Sequence, residues 1–308
     1  MDRVCADKQV TIFSLRIPLF RLQLFVLSSV FMAMACGKKR DTTQALLPEP
    51  SAPFSYLLDT SGYSTPLTLN GYNLTWHDEF NQSIIDTASW QFEIGNGPGG
   101  WGNNELEYYT DSPANAFTAK GKLVIEARKE EKEGYAFTSA RITTKGKRTF
   151  TYGRVDIRAK LPAGKGIWPA LWMLGQNVDT VGWPACGEID IMELLGHAPN
   201  KVYGTLHWGA EWPVHESKGR SYSFNASFSE QFHVFSLIWE KDAYKILVDD
   251  VLYLSATGAE TAPYNNPFTK PYFFIFNVAV GGGWPGNPDS TTVFPQRMIV
   301  DYIRVFQK

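Results

Sequence analysis

The sequence predicts an all-β fold, a β-jelly-roll sandwich of two antiparallel sheets with one concave face. Short segments with strand-like alternation recur along the chain, and Gly, Pro and Asn separate them. No long segment has a helical period, and the sequence contains no internal repeat. The 308 residues, 44% of them hydrophobic, are enough for one all-β domain of about 200–250 residues with extensions.

Eight segments have the alternation or the β-branched and aromatic composition that is typical of strands. In chain order they are residues 123–127, 153–160, 188–191, 203–208, 232–239, 244–248, 272–280 and 299–306. Many short strands joined by turns favour a sandwich, so we expect one folded domain over residues 71–308.

The residues before this domain have the features of an export signal and a tether. Residues 1–35 resemble a secretory signal peptide, because an apolar run at 22–35 follows two arginines and ends in small residues. Cys36 directly after this run resembles a bacterial lipoprotein box, in which the cysteine is lipidated and becomes the mature N-terminus. Residues 36–70, rich in Pro, Ser and Thr, are predicted to be a flexible linker. We therefore expect an outer-membrane or cell-surface lipoprotein, or otherwise a periplasmic or secreted protein.

Composition excludes several classes of function. The net charge is −2, with both signs interspersed, which argues against a nucleic-acid partner. Of the three cysteines, Cys5 would be removed and Cys36 lipidated, which leaves Cys186 unpaired and predicts no disulfide framework. The sequence contains no zinc-binding spacing, phosphate-binding glycine loop or Ser-His-Asp motif, so no cofactor is predicted for catalysis. A monomer is the default expectation.

One strand-like stretch carries three carboxyl groups. Glu188, Ile189, Asp190 and Ile191 alternate, so the two acids share one face and the isoleucines the other. Simple alternation would turn Glu193 away from that face. A β-bulge near residues 191–192 would bring it back, and bulges recur beside active sites because they re-aim a side chain.

Two explanations fit these acids. On an exposed edge strand they would simply be solvated carboxylates. However, like charges on one face repel, so their grouping favours a use for them. Paired carboxyl groups do the nucleophilic and acid–base work of retaining glycosidases. The 14% aromatic content, with ten tryptophans, suits stacking on sugar rings, although a β core also uses aromatic residues.

Several separated motifs resemble glycoside hydrolase family 16, in the order in which that family has them. They are Trp-His-Asp-Glu-Phe at 76–80, Asn-Asn-Glu-Leu-Glu-Tyr-Tyr-Thr at 103–110, Tyr-Gly-Arg at 152–154, Gly-Ile-Trp-Pro-Ala-Leu-Trp-Met-Leu at 166–174 and the acidic stretch at 186–193. The resemblance extends from about residue 72 to the end and is strongest to bacterial laminarinases. The spacing Glu-x-Asp-x-x-Glu is the bulged variant of that branch, and Leu194-Leu195 stands where relatives often carry an aromatic residue.

The resemblance implies a β-jelly-roll that cleaves β-1,3-glucosidic bonds in laminarin-type glucans with retention of configuration. Glu188 would be the nucleophile and Glu193 the general acid/base, while Asp190 between them would hydrogen-bond the nucleophile. Alternatives with the same chemistry are a hydrolase of mixed-linkage β-1,3/1,4-glucan or of a galactan, and a transglycosylase. A glucan-binding protein without activity is a further alternative, although members of that kind lack the catalytic glutamates.

Eight further residues are candidates for substrate binding. Three tryptophans flank the acidic strand, and His207 lies on the next predicted strand, where it would approach the acids. The others rest on the resemblance or on a glycine-rich loop. The full set is Asn103, Arg141, Trp168, Trp172, Trp183, His207, Asn277 and Trp284.

Resemblance alone implies a structural calcium ion on the convex side. Its ligands would be backbone oxygens and one carboxylate at positions that match Glu79, Gly121 and Asp301, with Asp301 supplying the side chain. Calcium prefers such hard oxygen ligands. The ion would stabilise the domain and take no part in the chemistry.

Overall fold

The computed structural model describes residues 55–57, 59–262, 264 and 266–308. Seventeen strands form three sheets. They are β1 Asn73–Asp78, β2 Gln91–Glu93, β3 Glu107–Tyr109, β4 Ala116–Ala119, β5 Lys122–Ala127, β6 Phe137–Ser139, β7 Arg141–Thr143, β8 Gly153–Lys160, β9 Ile167–Gly175, β10 Glu188–Leu194, β11 Lys201–Gly209, β12 His215–Ser223, β13 His233–Glu240, β14 Ala243–Val248, β15 Val251–Thr257, β16 Tyr272–Val280 and β17 Gln296–Gln307. Two one-turn α-helices accompany the strands, α1 Val178–Val181 and α2 Gly258–Thr261.

Two large antiparallel sheets make up the domain. One runs β15-β14-β13-β8-β17-β5-β4, with β1 also paired to β17, and the other runs β12-β11-β10-β9-β16-β7-β2. A small third sheet pairs β3 and β6 in parallel. The all-β sandwich predicted from the sequence is confirmed, and all eight predicted strands are present within a few residues of the predicted ends.

The core lies between the two large sheets. Ile157 and Leu237 from one sheet and Ile189, Ile191 and Phe274 from the other belong to a single buried apolar cluster. The isoleucines of β10 therefore face the core, as their alternation predicts. This packing fixes the opposite face of β10 as the one that carries the acids.

The predicted start of the domain at residue 71 is too late. Arg158 donates from Nε to the carbonyl of Tyr63 at 2.6 Å and from Nη2 to that of Thr60 at 2.7 Å. Leu57 is buried in a cluster with Phe232. Part of the predicted linker is therefore ordered on the domain, because a buried arginine and an apolar patch hold it there.

The predicted signal peptide and the lipidation site Cys36 lie outside the described residues. Among the residues that the structure describes, no helix has the length and apolar character needed to cross a bilayer.

Candidate active site

A β-bulge places all three acids on the same face of β10. Asp190 pairs with Thr205 on β11, but the next paired residue is Glu193 with Tyr203, and the register to β9 shifts at the same point. The bulge that the alternation predicts is thus present. Glu188, Asp190 and Glu193 all line one cleft of about 520 Å³.

The neighbouring strand β9 supplies tryptophans to this cleft. Trp168, Ala170, Trp172 and Leu174 are two residues apart, so they share one face, and all four line the cavity. The indole of Trp168 donates to Glu193 Oε1 at 3.0 Å. The cleft therefore combines carboxyl groups with flat aromatic surfaces, which is the composition that binds sugar rings.

The three carboxyl groups do not favour the same protonation state. Burial raises the pKa of each, and the charge of Asp190 raises the pKa of Glu188 and Glu193 further. The charge of His207 and a nearby indole oppose this increase at both glutamates, Trp183 at Glu188 and Trp168 at Glu193, but only at Glu188 does the charge of Arg141 favour the carboxylate as well. Because like charges in one cluster repel, its protons leave in separate steps. We therefore assign the negative charge of the nucleophile to Glu188 and the retained proton to Glu193, whose pKa is raised well above its ordinary value by burial and by both neighbouring carboxylates.

His207 lies against this cluster, as the sequence predicts. It stands opposite Glu188 in the β10–β11 pairing, and its Nε2 lies 3.1 Å from Asp190 Oδ2 and 3.9 Å from Glu188 Oε1. One ring nitrogen of His207 and one carboxyl oxygen each of Glu188 and Asp190 all lie within 4.8 Å of one another.

The remaining predicted residues surround the cleft in different ways. Arg141, from β7, stacks on the ring of Trp172 at 4.9 Å and forms an ion pair with Glu93. Asn277, from β16, accepts a hydrogen bond from the Trp172 indole at 2.8 Å. Both line the cavity, as do Asn103 and Trp183. Trp284 is not in the lining but contacts Trp168 edge-on at 5.5 Å between ring centres.

Four polar or aromatic side chains of the cleft were not predicted from the sequence: Trp101, Glu105, Trp212 and His215. Trp212 lies in the loop at 210–214 that joins β11 to β12, and His215 begins β12, so extension of the predicted strand into a hairpin would have found them. Glu105 accepts hydrogen bonds from Asn103 at 2.9 Å and Tyr109 at 3.1 Å. Its loop carries several residues with positive φ, and no period in the sequence predicts its path.

The side chain predicted to bind calcium, that of Asp301, does not fit that ion. Asp301 accepts from Arg158 Nη1 at 2.7 Å and lies 3.4 Å from Lys122 Nζ, the residue after Gly121. Glu79 is bound by two nitrogens of Arg304, at 2.8 and 2.7 Å. Calcium requires six to eight oxygen ligands, whereas the carboxylate of Asp301, the one side chain expected to bind the ion, already has two cationic partners. A second cation beside Lys122 and Arg158 would be repelled.

We therefore predict that a chelator leaves the melting temperature unchanged. A calcium site at 100 times its Kd would add about 2.7 kcal/mol of stability, which for a domain of this size corresponds to roughly 5–10 °C. Melting curves with EDTA and with added calcium should superimpose. Lys122→Met is the matched variant, because it removes the cation beside Asp301, and it should melt lower than wild type in both solutions. A melting temperature that falls in EDTA and recovers with calcium would restore the expected metal site.

A sandwich with paired carboxyl groups in a tryptophan-lined cleft defines a glycoside hydrolase. The chain belongs to the glycosyl hydrolases family 16, whose family model matches residues 102–304. The chain is 41% identical over 286 residues to "Glucan endo-1,3-beta-glucosidase A1" of Niallia circulans, an alignment that covers 84% of this chain and 42% of that protein. It is 41% identical over 247 residues to "Beta-glucanase" of Rhodothermus marinus, with 77% of this chain and 85% of that protein covered.

The laminarinase catalytic domain of Thermotoga maritima has a similar structure. Its TM-score is 0.72 at 52% sequence identity, and the match covers 77% of this chain and 98% of that one. At 52% identity, this solved structure supports both the fold and the family membership of the chain. This chain thus spans less than half of one curated relative but nearly all of a solved catalytic domain.

Proposed function

We propose that the domain is an endo-acting, retaining hydrolase of β-1,3-glucosidic bonds in laminarin-type glucans. The observation that carries this proposal is the bulge of β10, which directs the side chains of Glu188 and Glu193 into the same cleft. Both side chains are mostly shielded from water there, and each has surroundings that favour a different protonation state. Such a pair is what double displacement requires.

In the first step Glu188 would attack the anomeric carbon. A bond forms between its carboxylate oxygen and that carbon while the bond to the glycosidic oxygen breaks, and Glu193 gives its proton to the leaving oxygen. Trp168 holds Glu193 through its 3.0 Å hydrogen bond and so orients the acid. In the second step water attacks the same carbon, Glu193 takes the proton of the water, and Glu188 leaves with its electron pair.

Asp190 would control the charge of the pair. It is buried between the two glutamates, and its Oδ2 lies 3.1 Å from His207 Nε2. As an acid it can donate to Glu188, which stabilises the carboxylate before attack. Transfer of the glycosyl group from Glu188 to water is hydrolysis, whereas transfer to a sugar acceptor would be transglycosylation.

The substrate is tested with four polysaccharides in parallel. Residues 37–308 would be assayed on laminarin, barley mixed-linkage glucan, agarose and κ-carrageenan, with Glu188→Ser as the inactive control. We expect rapid release of laminari-oligosaccharides that the control does not produce. Activity on a galactan alone would overturn the assignment of substrate. Tight binding of laminarin without cleavage would place the protein among glucan-binding proteins.

We also propose that the protein is exported and tethered through a lipid on Cys36. The apolar run at 22–35 and the linker support this location, since a polysaccharide too large to cross a membrane must be cut outside the cell. The full chain should partition into detergent and take up radiolabelled palmitate. Cys36→Ser should lose both properties, and persistence of the label in that variant would exclude this anchor.

A further inference from the structure

Two histidines from neighbouring strands form a stacked pair at one wall of the cleft. His207 Nδ1 and His215 Nε2 are 2.8 Å apart and hydrogen-bonded, and the rings are nearly parallel with their centres 5.1 Å apart. The register of the β11–β12 hairpin produces this contact. His207 lies opposite Ser217, which makes His215 its diagonal neighbour on the same face.

The pair connects the buried acids with the outer part of the cleft. The other ring nitrogen of His207 lies 3.1 Å from Asp190, whose side chain is 5% exposed. His215 contacts the rings of Trp183 and Trp212, with centres 4.8 and 6.3 Å away. These aromatic rings fix the orientation of His215 and leave its Nε2 directed at His207.

The charges around the pair determine how many protons it holds. On one side are Glu188, Asp190 and Glu193 of β10, with Arg141 of β7 acting on the first of them. On the other side, Glu216 of β12 raises the pKa of His215. Burial and the charge of His207 outweigh it and lower the pKa of His215. Only one of the two nitrogens that lie 2.8 Å apart can carry the hydrogen of their bond, so the pair shares one proton at this contact.

We propose that His215 is a positioning residue for glycoside hydrolysis: its neutral Nε2 accepts the Nδ1 proton of His207 and so holds the positive charge of His207 beside Asp190. This inference rests on the proposed function of the cleft. His215 acts only through its hydrogen bond to His207. Its role is to stabilise the positive charge of His207 beside the acids of β10.

The sign of the effect follows from the cluster. The charge of His207 lowers the pKa of Glu188 and of Glu193. Loss of the acceptor at position 215 makes that charge less stable, so both pKa values should rise. Activity requires Glu188 ionised and Glu193 protonated, so both limbs of the profile of kcat/KM against pH should move to higher pH. We expect each limb to shift by roughly half to one pH unit.

The test compares His215→Phe with His215→Gln on laminarin across the pH range. Phenylalanine keeps a ring against Trp183 but has no acceptor, whereas glutamine can accept the Nδ1 proton through its side-chain oxygen. We expect both limbs to shift to higher pH in the Phe variant and to return most of the way in the Gln variant. His197→Phe is the matched control, since His197 is exposed and outside the cleft lining, and it should keep the wild-type profile.

A merely structural role would lower kcat/KM by the same factor at every pH, and that result would overturn the proposal. Equal profiles for the Phe and Gln variants would overturn it as well. Imidazole NMR of His207 provides a readout without any substrate: its protonated fraction at a given pH should fall in His215→Phe and recover in His215→Gln. If wild type cut none of the four polysaccharides, the proposed function would fail while the NMR comparison still tested the histidine pair.

Discussion

We expect Glu188→Ser to lower kcat/KM on laminarin by at least about 10⁴-fold, a loss of roughly 5.5 kcal/mol of transition-state stabilisation. The variant lacks the only side chain that we assign to bond formation with the anomeric carbon. Serine is too short to replace it, and the neighbouring Asp190 keeps its proton because it is buried. Water would have to attack directly, without a covalent intermediate.

The same variant should fold normally. Burial and Asp190 raise the pKa of Glu188, so this carboxyl group destabilises the fold increasingly as the pH rises from its ordinary pKa of 4.5 to its raised pKa in the folded protein. Removal of the carboxyl group relieves this penalty, so we expect a melting temperature at neutral pH no lower than that of wild type. A large drop would indicate that loss of activity reflects unfolding, and the assay would then be repeated with Glu188→Gln.

Azide distinguishes the nucleophile from the acid. In Glu188→Ala the missing side chain leaves room for azide, which would form a bond to the anomeric carbon of an aryl β-laminarioside as the aryl oxygen leaves. The expected product is a glycosyl azide of inverted configuration. If Glu193→Ala gave the inverted azide instead, the two roles would be reversed.

The sequence predicted those parts of the fold that depend on local period. The alternation of Glu188 to Ile191 and its interruption before Glu193 are visible within six residues, so the strand, its core face and its bulge could all be derived. Strands β2, β3 and β7 have only three residues each, too few for any period. Their place depends on long-range pairing, which is why Arg141 on β7 was located only through the family resemblance.

Two expectations from the sequence disagree with contacts in the structure, and for a common physical reason. The segment before residue 71 looks like a linker by composition, yet Arg158 binds its carbonyls from a strand almost a hundred residues away. The expected calcium ligands are oxygen-bearing residues, yet Lys122 and Arg158 already neutralise Asp301. In both cases the partner is distant in sequence, and composition gives no sign of it.

We expect Glu193→Gln to lower kcat on laminarin by about 10²–10⁴-fold and to remove the alkaline limb of its pH profile. Burial and the charges of Asp190 and Glu188 raise the pKa of Glu193 well above its ordinary value of 4.5. In wild type the activity should therefore persist above that pH and fall as Glu193 loses its proton. Glutamine has no proton to lose in this range, so the limb that belongs to residue 193 should vanish.

The leaving group of the substrate provides the control for the prediction on Glu193→Gln. A sugar hydroxyl is a poor leaving group and needs the proton of Glu193, whereas a dinitrophenolate does not. Glu193→Gln should therefore form the covalent intermediate from a dinitrophenyl β-laminarioside at close to the wild-type rate and then accumulate it, because no base activates the water of the second step. Burst kinetics followed by mass spectrometry of the trapped enzyme would measure both steps. If the alkaline limb persisted, or if activity on both substrates fell equally, the proton donor would have to be another group. Asp190 would be the next residue to replace, because burial also raises its pKa.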